Sequence, residues 1–392
     1  MKSVLIRGGR VFTPSGAKVT DVLLKDGKIA EVGPSKAAAD EVIDAEGACV
    51  APGFIDIHTH GAGGADFMDG TVDAYLTAAR MYVRHGATLV YPTTCTSSNE
   101  DLFATLATYG EADSRNTEGT RFGGLHLEGP YLSPKQPGAM DPRYLRCPND
   151  PSEYLDIIRR GKGILKRWTF APELDGAPEF AAVLRANGIL PSIGHTDATW
   201  AECDAAFRSG ANHMTHFYSC MSTVCRIRAH RVAGTVEYGY WQKGMNIELI
   251  ADGIHVPEEL LKLIVDIKGV DRISVITDSM RAAGMPEGPS RVGSLTGGQD
   301  VIVDEGVAWV PDRHCFAGSV ATTDRLIRTM VHIAGCTEEQ AVQMATANPA
   351  RMMGVYDRKG SIEPGKDADL VIWRGDVEIE RTIIGGETIY KK

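Results

Sequence analysis

No apolar run in this chain approaches the ~20 residues that a membrane-spanning helix requires. The opening stretch Met1-Lys2-Ser3-Val4-Leu5-Ile6-Arg7 is interrupted by Gly8, Gly9 and Arg10 before a signal-peptide core could form, so none is expected. Positive charge is not in excess: 41 Lys and Arg stand against 51 Asp and Glu, a formal net charge of −10. That balance argues against nucleic acid as the main partner, although a pocket can still be locally positive for an anionic small molecule. The eight cysteines, at 49, 95, 147, 203, 220, 225, 315 and 336, include no C-x-x-C pair. A large core needs no staples, and a reduced, cytoplasmic setting is the simpler expectation. There is no Gly-x-Gly-x-x-Gly turn after the first strand of the central region, no internal repeat and no low-complexity segment.

What remains is a globular chain of 392 residues, 43% hydrophobic and 23% charged. It is long enough for two or three domains, or for one barrel with a satellite. Residues 1 to 50 read as short strands and turns, with Asp26-Gly27 between two apolar runs as a hairpin signal. Residues 360 to 392 have the same texture. The two ends are expected to form one small β-sandwich domain around a catalytic domain spanning 51–359. Between them, eight apolar runs alternate with helical segments: Phe54–Ile57, Ala87–Tyr91, Phe122–Leu127, Arg167–Ala171, Ile189–Ile193, Ala211–Thr215, Met245–Ala251 and Ile273–Thr277. Helical patterns at 71–85, 176–187, 199–209 and 257–268 each stop at a glycine. The α/β alternation predicts a parallel sheet, and eight units predict a (β/α)8 TIM-type barrel, with an open doubly wound sheet as the alternative. Residues 279–300, rich in Gly, Pro and Ser, read as a loop, either a lid or an ordinary connection.

In such a barrel, chemistry collects at the C-terminal ends of the strands. The first run ends in His58 and His60, whose i, i+2 spacing puts both on one face. The residues after later runs are Glu128, His195, His216, Asp252, His255 and Asp278. Histidines and carboxylates at matching strand ends point to one or two divalent metals with N/O ligands. With no thiolate among them, a structural zinc site is not expected. A metal would lower the pKa of bound water towards ~7 and polarise a carbonyl. Asp278, on the last strand and facing the first, is the candidate acid/base.

At these residues the chain resembles the amidohydrolase superfamily, and within it the N-acetylglucosamine-6-phosphate deacetylases. Pro52-Gly53-Phe54-Ile55-Asp56-Ile57-His58-Thr59-His60 is similar to the superfamily's opening metal motif. Leu125-His126-Leu127-Glu128-Gly129-Pro130-Tyr131-Leu132 is more specific to the deacetylases. Gly194-His195-Thr196, Asp252-Gly253-Ile254-His255-Val256, Thr277-Asp278, Ala317-Gly318-Ser319 and the segment from Gly360 to Leu370 follow in the family's order. The resemblance implies that Glu128, His195 and His216 bind a principal metal, most simply Zn2+, with Fe2+, Mn2+ or Co2+ as alternatives. It implies a second metal at His58 and His60, bridged by Glu128, with Asp278 as acid/base and further ligand. His126 competes with Glu128 by position, and the family pattern favours Glu128. His85, His213, His230, His314 and His332 are left as non-ligands.

The same resemblance implies that the substrate-reading positions have changed. A carbonyl-polarising histidine is replaced by Met140, which cannot donate a hydrogen bond. Ser219 and Cys220 stand where the family usually has Asn-Ala, and the phosphate-binding arginine matches Arg228 only with one residue inserted. His255 matches a phosphate-contacting position. The activity implied is removal of an N-acetyl group from an amino sugar, first N-acetylglucosamine 6-phosphate, in amino-sugar catabolism. A deacylase of another N-acyl compound is the alternative, and a cyclic amidase, a deaminase or a non-catalytic scaffold stands further off. A homodimer is implied by family analogy, with no nucleic acid and no membrane as partner.

Overall fold

A computed structural model describes residues 3–392. Each of the eight apolar runs contributes a strand: β1 (Phe54–Thr59), β2 (Ala87–Thr94), β3 (Leu125–Glu128), β4 (Leu165–Phe170), β5 (Leu190–Ile193), β6 (His213–Met214), β7 (Asn246–Ile250) and β8 (Ile273–Ile276). They pair in parallel in chain order, β1 with β2 and so on to β7 with β8. Beyond β8 the ring draws shut: the Asp278 N–H donates to His58 O at 3.0 Å, and the His60 N–H to Ser279 O at 2.8 Å. Every residue of β1 and β2 is buried, as expected of strands covered on both faces. This is a near-closed (β/α)8 barrel, and the open-sheet alternative falls away.

The helices start and stop where local chemistry dictates. Val72–Arg84 is capped by Thr71, whose side chain accepts from the Ala74 N–H at 3.2 Å. Trp200–Arg208 opens with a capping box between Thr199 and Glu202. These helices bury one face on the barrel and return the chain to the next strand in parallel, which is what puts all strand C-termini at one end.

Two expectations need correction. The third run is not one strand: it breaks at Gly123-Gly124 into Arg121–Phe122 and Leu125–Glu128. A Cβ on Gly123 would lie 2.4 Å from Tyr91, and one on Gly124 2.6 Å from the Ile164 carbonyl oxygen, so the chain must kink where no side chain exists. Residues 279–300 are not all loop either. Gly288–Val292 pairs with Gln299–Asp304 in a four-stranded antiparallel sheet with Val307–Trp309 and Phe316–Ser319. Arg281 ties this sheet to the barrel, donating to Asp69 at 2.7 Å and to the Gly293 carbonyl at 2.6 Å.

Both chain ends join one eight-stranded sheet, where Leu370–Arg374 runs antiparallel to Cys49–Pro52. The Asp26-Gly27 turn is formed with φ of +54° and +74°, the left-handed pair that such a hairpin requires. Among the described residues, no helix is long and apolar enough to cross a membrane.

Candidate metal centre

Six side chains from five strand ends converge at the C-terminal mouth of the barrel, all buried: His58, His60, Glu128, His195, His216 and Asp278. Glu128 stands in the middle. Its Oε2 lies 3.4 Å from His58 Nε2 and 3.2 Å from His60 Nε2, and Asp278 Oδ1 lies 3.4 and 3.2 Å from the same two nitrogens. Its Oε1 lies 2.9 Å from His216 Nε2 and 3.3 Å from His195 Nε2. The donors thus fall into two sets, His58–His60–Asp278 and His195–His216, each facing one oxygen of the same carboxylate.

This set suits divalent cations. Ligands ~2.0–2.1 Å from one ion at tetrahedral angles stand roughly 3.3–3.4 Å apart, close to the separations just given. His58 Nε2 is buried without a hydrogen-bond partner among the described residues and is aimed between the two carboxylates. Burial drives the Glu128 carboxyl up, but His58, His195 and His216 reverse this and hold it well below the usual range. Asp278 is likewise raised by burial and pulled down further by His58, His60 and His216, to about 2. Two ionised carboxylates inside a ring of imidazoles form an oxygen-and-nitrogen cradle for positive charge.

Three of the donors hold unusual backbone. His195, His216 and Asp278 have φ of +48°, +30° and +47°. Non-glycine residues seldom adopt such values, and they concentrate where surrounding structure overrides local preference. Here each sits at the point where its strand ends and the side chain turns inward over the barrel.

The donors are braced from behind. His58 Nδ1 donates to Glu248 Oε2 at 3.2 Å, His195 Nδ1 to the Gln136 carbonyl at 2.9 Å, and Cys95 Sγ lies 3.4 Å from His60 Nδ1. Glu248 itself is paired with Arg167, both fully buried inside the barrel. Burial lowers the Arg167 guanidinium to about 9, against the pull of Glu128, Asp278 and Asp56. Neither residue figured among the expected site residues. The available signal was a charge inside each apolar run, Ile247-Glu248-Leu249 and Arg167-Trp168. His126 stays out of the cluster because Thr93 and Thr169 hydroxyls occupy its two ring nitrogens, at 3.2 and 2.7 Å. Burial keeps it neutral, its pKa well below the ordinary histidine value.

Above the donors opens a cavity of about 500 Å³. Met140, Ser219, Cys220 and His255, the residues expected to contact substrate, line it. Asp252 positions His255, accepting from its backbone N–H at 2.9 Å and from its Nδ1 at 2.7 Å. Arg228 is not in that wall. It sits at the tip of an exposed hairpin, Cys225–Ile227 with His230–Val232, at φ +47°. Sequence reasoning missed Tyr218, Trp309, His314, Cys315 and Phe316, which also line the cavity. Trp309, His314, Cys315 and Phe316 come from a segment with no motif, brought in by the four-stranded sheet, while Tyr218 stands in the loop after β6, one residue before Ser219. Among the described residues lining the cavity there is no lysine or arginine.

Comparison with known proteins matches this architecture. The amidohydrolase family model covers residues 49–389. An N-acetylglucosamine-6-phosphate deacetylase of Bacillus subtilis (strain 168) is 35% identical, over 99% of this chain and 98% of its own. An N-acetylgalactosamine-6-phosphate deacetylase of Escherichia coli O157:H7 is 33% identical, with 98% of both chains covered. A solved structure of a variant N-acetyl-D-glucosamine-6-phosphate deacetylase from Mycobacterium smegmatis, in complex with N-acetyl-D-glucosamine-6-phosphate, superposes with a TM-score of 0.90. It is 31% identical, covering 99% of this chain and all of that one.

Proposed function

The chain belongs to the amidohydrolase family and, within it, to the N-acetylglucosamine-6-phosphate deacetylases, and from that premise we propose that it hydrolyses the N-acetyl group of an amino-sugar phosphate, releasing acetate and the free amine. The observation that carries this reading is Glu128, one carboxylate facing a histidine pair with each oxygen. N-acetylglucosamine 6-phosphate is the first substrate, and the 33% identity to an N-acetylgalactosamine-6-phosphate deacetylase keeps the galacto epimer as the second.

His195 and His216 would hold one divalent ion with Glu128, and His58, His60 and Asp278 another, with Zn2+ first and Fe2+, Mn2+ or Co2+ as alternatives. Such ions, when bound, supply hydroxide near neutral pH and polarise the acyl carbonyl. Asp278 takes a proton from the attacking water as the new C–O bond forms. It returns that proton to the sugar nitrogen as the C–N bond breaks, so the leaving group departs as a neutral amine. The buried floor excludes bulk water from the carboxylates and keeps Asp278 in reach of both events. His255, braced by Asp252, and Ser219 bind the distal part of the substrate. Met140 covers the acyl group without donating to it.

The same reading assigns residues 1–50 and 360–392 to the small β-sandwich domain and 51–359 to the catalytic barrel. It also takes the enzyme as a cytoplasmic homodimer in which the exposed hairpin brings Arg228 to the phosphate in a neighbouring copy's cavity. The test is acetate release by metal-reconstituted protein from N-acetylglucosamine 6-phosphate, its unphosphorylated form, and the galacto and manno 6-phosphates. Turnover of the glucosamine phosphate that is lost in Asp278→Asn supports the reading. No turnover of any phosphate, with activity on another N-acyl compound, overturns it.

A further inference from the structure

The four donor histidines present Nε2 to the centre but differ behind it. A carboxylate backs His58, a thiol lies beside His60, a peptide carbonyl accepts from His195, and His216 Nδ1 has no hydrogen-bond partner among the described residues. Among the described residues Glu248, from the middle of β7, is therefore the one charged brace, and it acts on both donor sets. Its Oε2 accepts from His58 Nδ1 at 3.2 Å and also from the His216 backbone N–H at 3.2 Å. Its Oε1 meets Arg167 Nη1 and lies 3.4 Å from His213 Nε2. Arg167 is in turn fixed by Ser192 Oγ at 2.9 Å, Thr215 Oγ1 at 2.7 Å and the Ile57 carbonyl at 3.2 Å. The carboxylate cannot drift, because all its neighbours are on barrel strands or their immediate ends and all are buried.

We propose that Glu248 is a positioning residue for the whole donor cluster, setting the His58 ring through Nδ1 and the His216 main chain through its N–H, with Arg167 as its counter-charge. A proton fixed on Nδ1 leaves the Nε2 lone pair free and directed at the centre, and a carboxylate partner raises the basicity of that nitrogen. The His216 contact matters for a different reason. His216 has φ +30°, and a hydrogen bond to its N–H at the end of β6 holds the turn that aims the side chain inward. One carboxylate thereby couples the two donor sets from below, as Glu128 couples them from above.

This inference rests on the metal-centre reading, and its test separates the two. Chelator-stripped wild type, Glu248→Asp, Glu248→Gln and Glu248→Gln/Arg167→Met are titrated with Zn2+ against a competing chromophoric chelator. Their Co2+ absorption spectra and their kcat and KM on N-acetylglucosamine 6-phosphate are also compared. Glu248→Asp keeps the charge that Arg167 needs but withdraws the oxygens by one methylene, and the double variant removes both charges together. Zinc affinity is expected to fall about 10–100-fold in each folded variant, with an altered Co2+ spectrum, a lower kcat and a KM within roughly threefold of wild type. Wild-type zinc affinity and Co2+ spectrum in any folded variant overturn the proposal. So does loss of fold in all three, which would make Glu248 a purely structural residue. Failure of the wild type itself to take up metal strikes instead at the reading of the centre.

Discussion

The floor and the wall of the cavity were made by different means. The floor consists of residues at strand ends: His58 near the end of β1 and His60 just past it, Glu128 at the end of β3, and His195, His216 and Asp278 just past β5, β6 and β8. Their positions follow from strand register, and register is rigidly set when both faces of each strand are buried. The wall consists of loop and insert residues, among them Met140, Cys220, Trp309 and Phe316. Loops can change length and composition without disturbing the barrel beneath them. The floor of this chain gathers six buried side chains that could hold metal, while the wall has Met140, which cannot donate a hydrogen bond, and contains no lysine or arginine among the described lining residues. On the proposed function, reaction type and substrate choice are thus carried by separable parts of the molecule.

The largest effect should come from removing the member of the floor shared by both donor sets. Glu128→Ala is expected to lose stoichiometric metal at both and to reduce acetate release to the assay background, as measured by elemental analysis and product assay. Asp278→Asn should lower kcat about 10²–10⁴-fold, the usual worth of a positioned acid/base. Retention of near-normal kcat would remove Asp278 from that role.

Breaking the floor from beneath tests whether its rigidity matters independently of its donors. Arg167→Met leaves Glu248 buried without its counter-charge and should destabilise the fold by about 3–5 kcal/mol, read as a lower denaturant midpoint. A midpoint equal to wild type would mean that Glu248 is compensated by other means.

The wall should respond in specificity before rate. Arg228→Ala is expected to raise KM for the phosphorylated sugar roughly tenfold, the worth of one hydrogen bond to a charged group, and to leave the unphosphorylated sugar unchanged. Equal effects on both would place Arg228 outside phosphate recognition. Met140→His introduces a donor of a kind that elsewhere is worth ~10²–10³ in kcat. With the floor complete, a change of less than about tenfold is expected, and a larger gain would show that the wall limits the reaction.

The smallest effect marks the boundary of the comparison. Arg10 reaches from the small sheet to Glu338 and Glu339, with all three side chains partly exposed. Arg10→Ala should cost less than ~1 kcal/mol and leave kcat untouched. A loss of activity there would link the small sheet to the centre.

Much of the barrel was legible because its signals are local. A buried strand is a short apolar run, a helix ends at a glycine, and two histidines at i, i+2 share a face whatever surrounds them. The Gly123-Gly124 kink was not legible in this way, since the reason for it is the Tyr91 ring from β2 and the Ile164 carbonyl just before β4. The strands within 279–300 were hidden for a similar reason: their pairing partners lie at 299–309, and their Gly- and Pro-rich composition resembles a loop. His126 and Glu128, two residues apart, could not be separated from sequence by geometry. Thr93 and Thr169, on the flanking strands, are what retire the histidine.

By itself, then, the sequence determined the barrel, the sheet drawn from both chain ends and the strand ends at which the clustered side chains stand, because alternation, spacing and capping act over a few residues; the choice of Glu128 over His126 came from the family resemblance. The tertiary structure decided that Glu128 offers one oxygen to each donor set, that Glu248 and Arg167 stand beneath them, and that Arg228 lies on an exposed hairpin away from the cavity wall. Those facts depend on distances between residues far apart in the chain, such as Arg167 and Glu248 at a separation of 81, and such distances exist only once the barrel has closed.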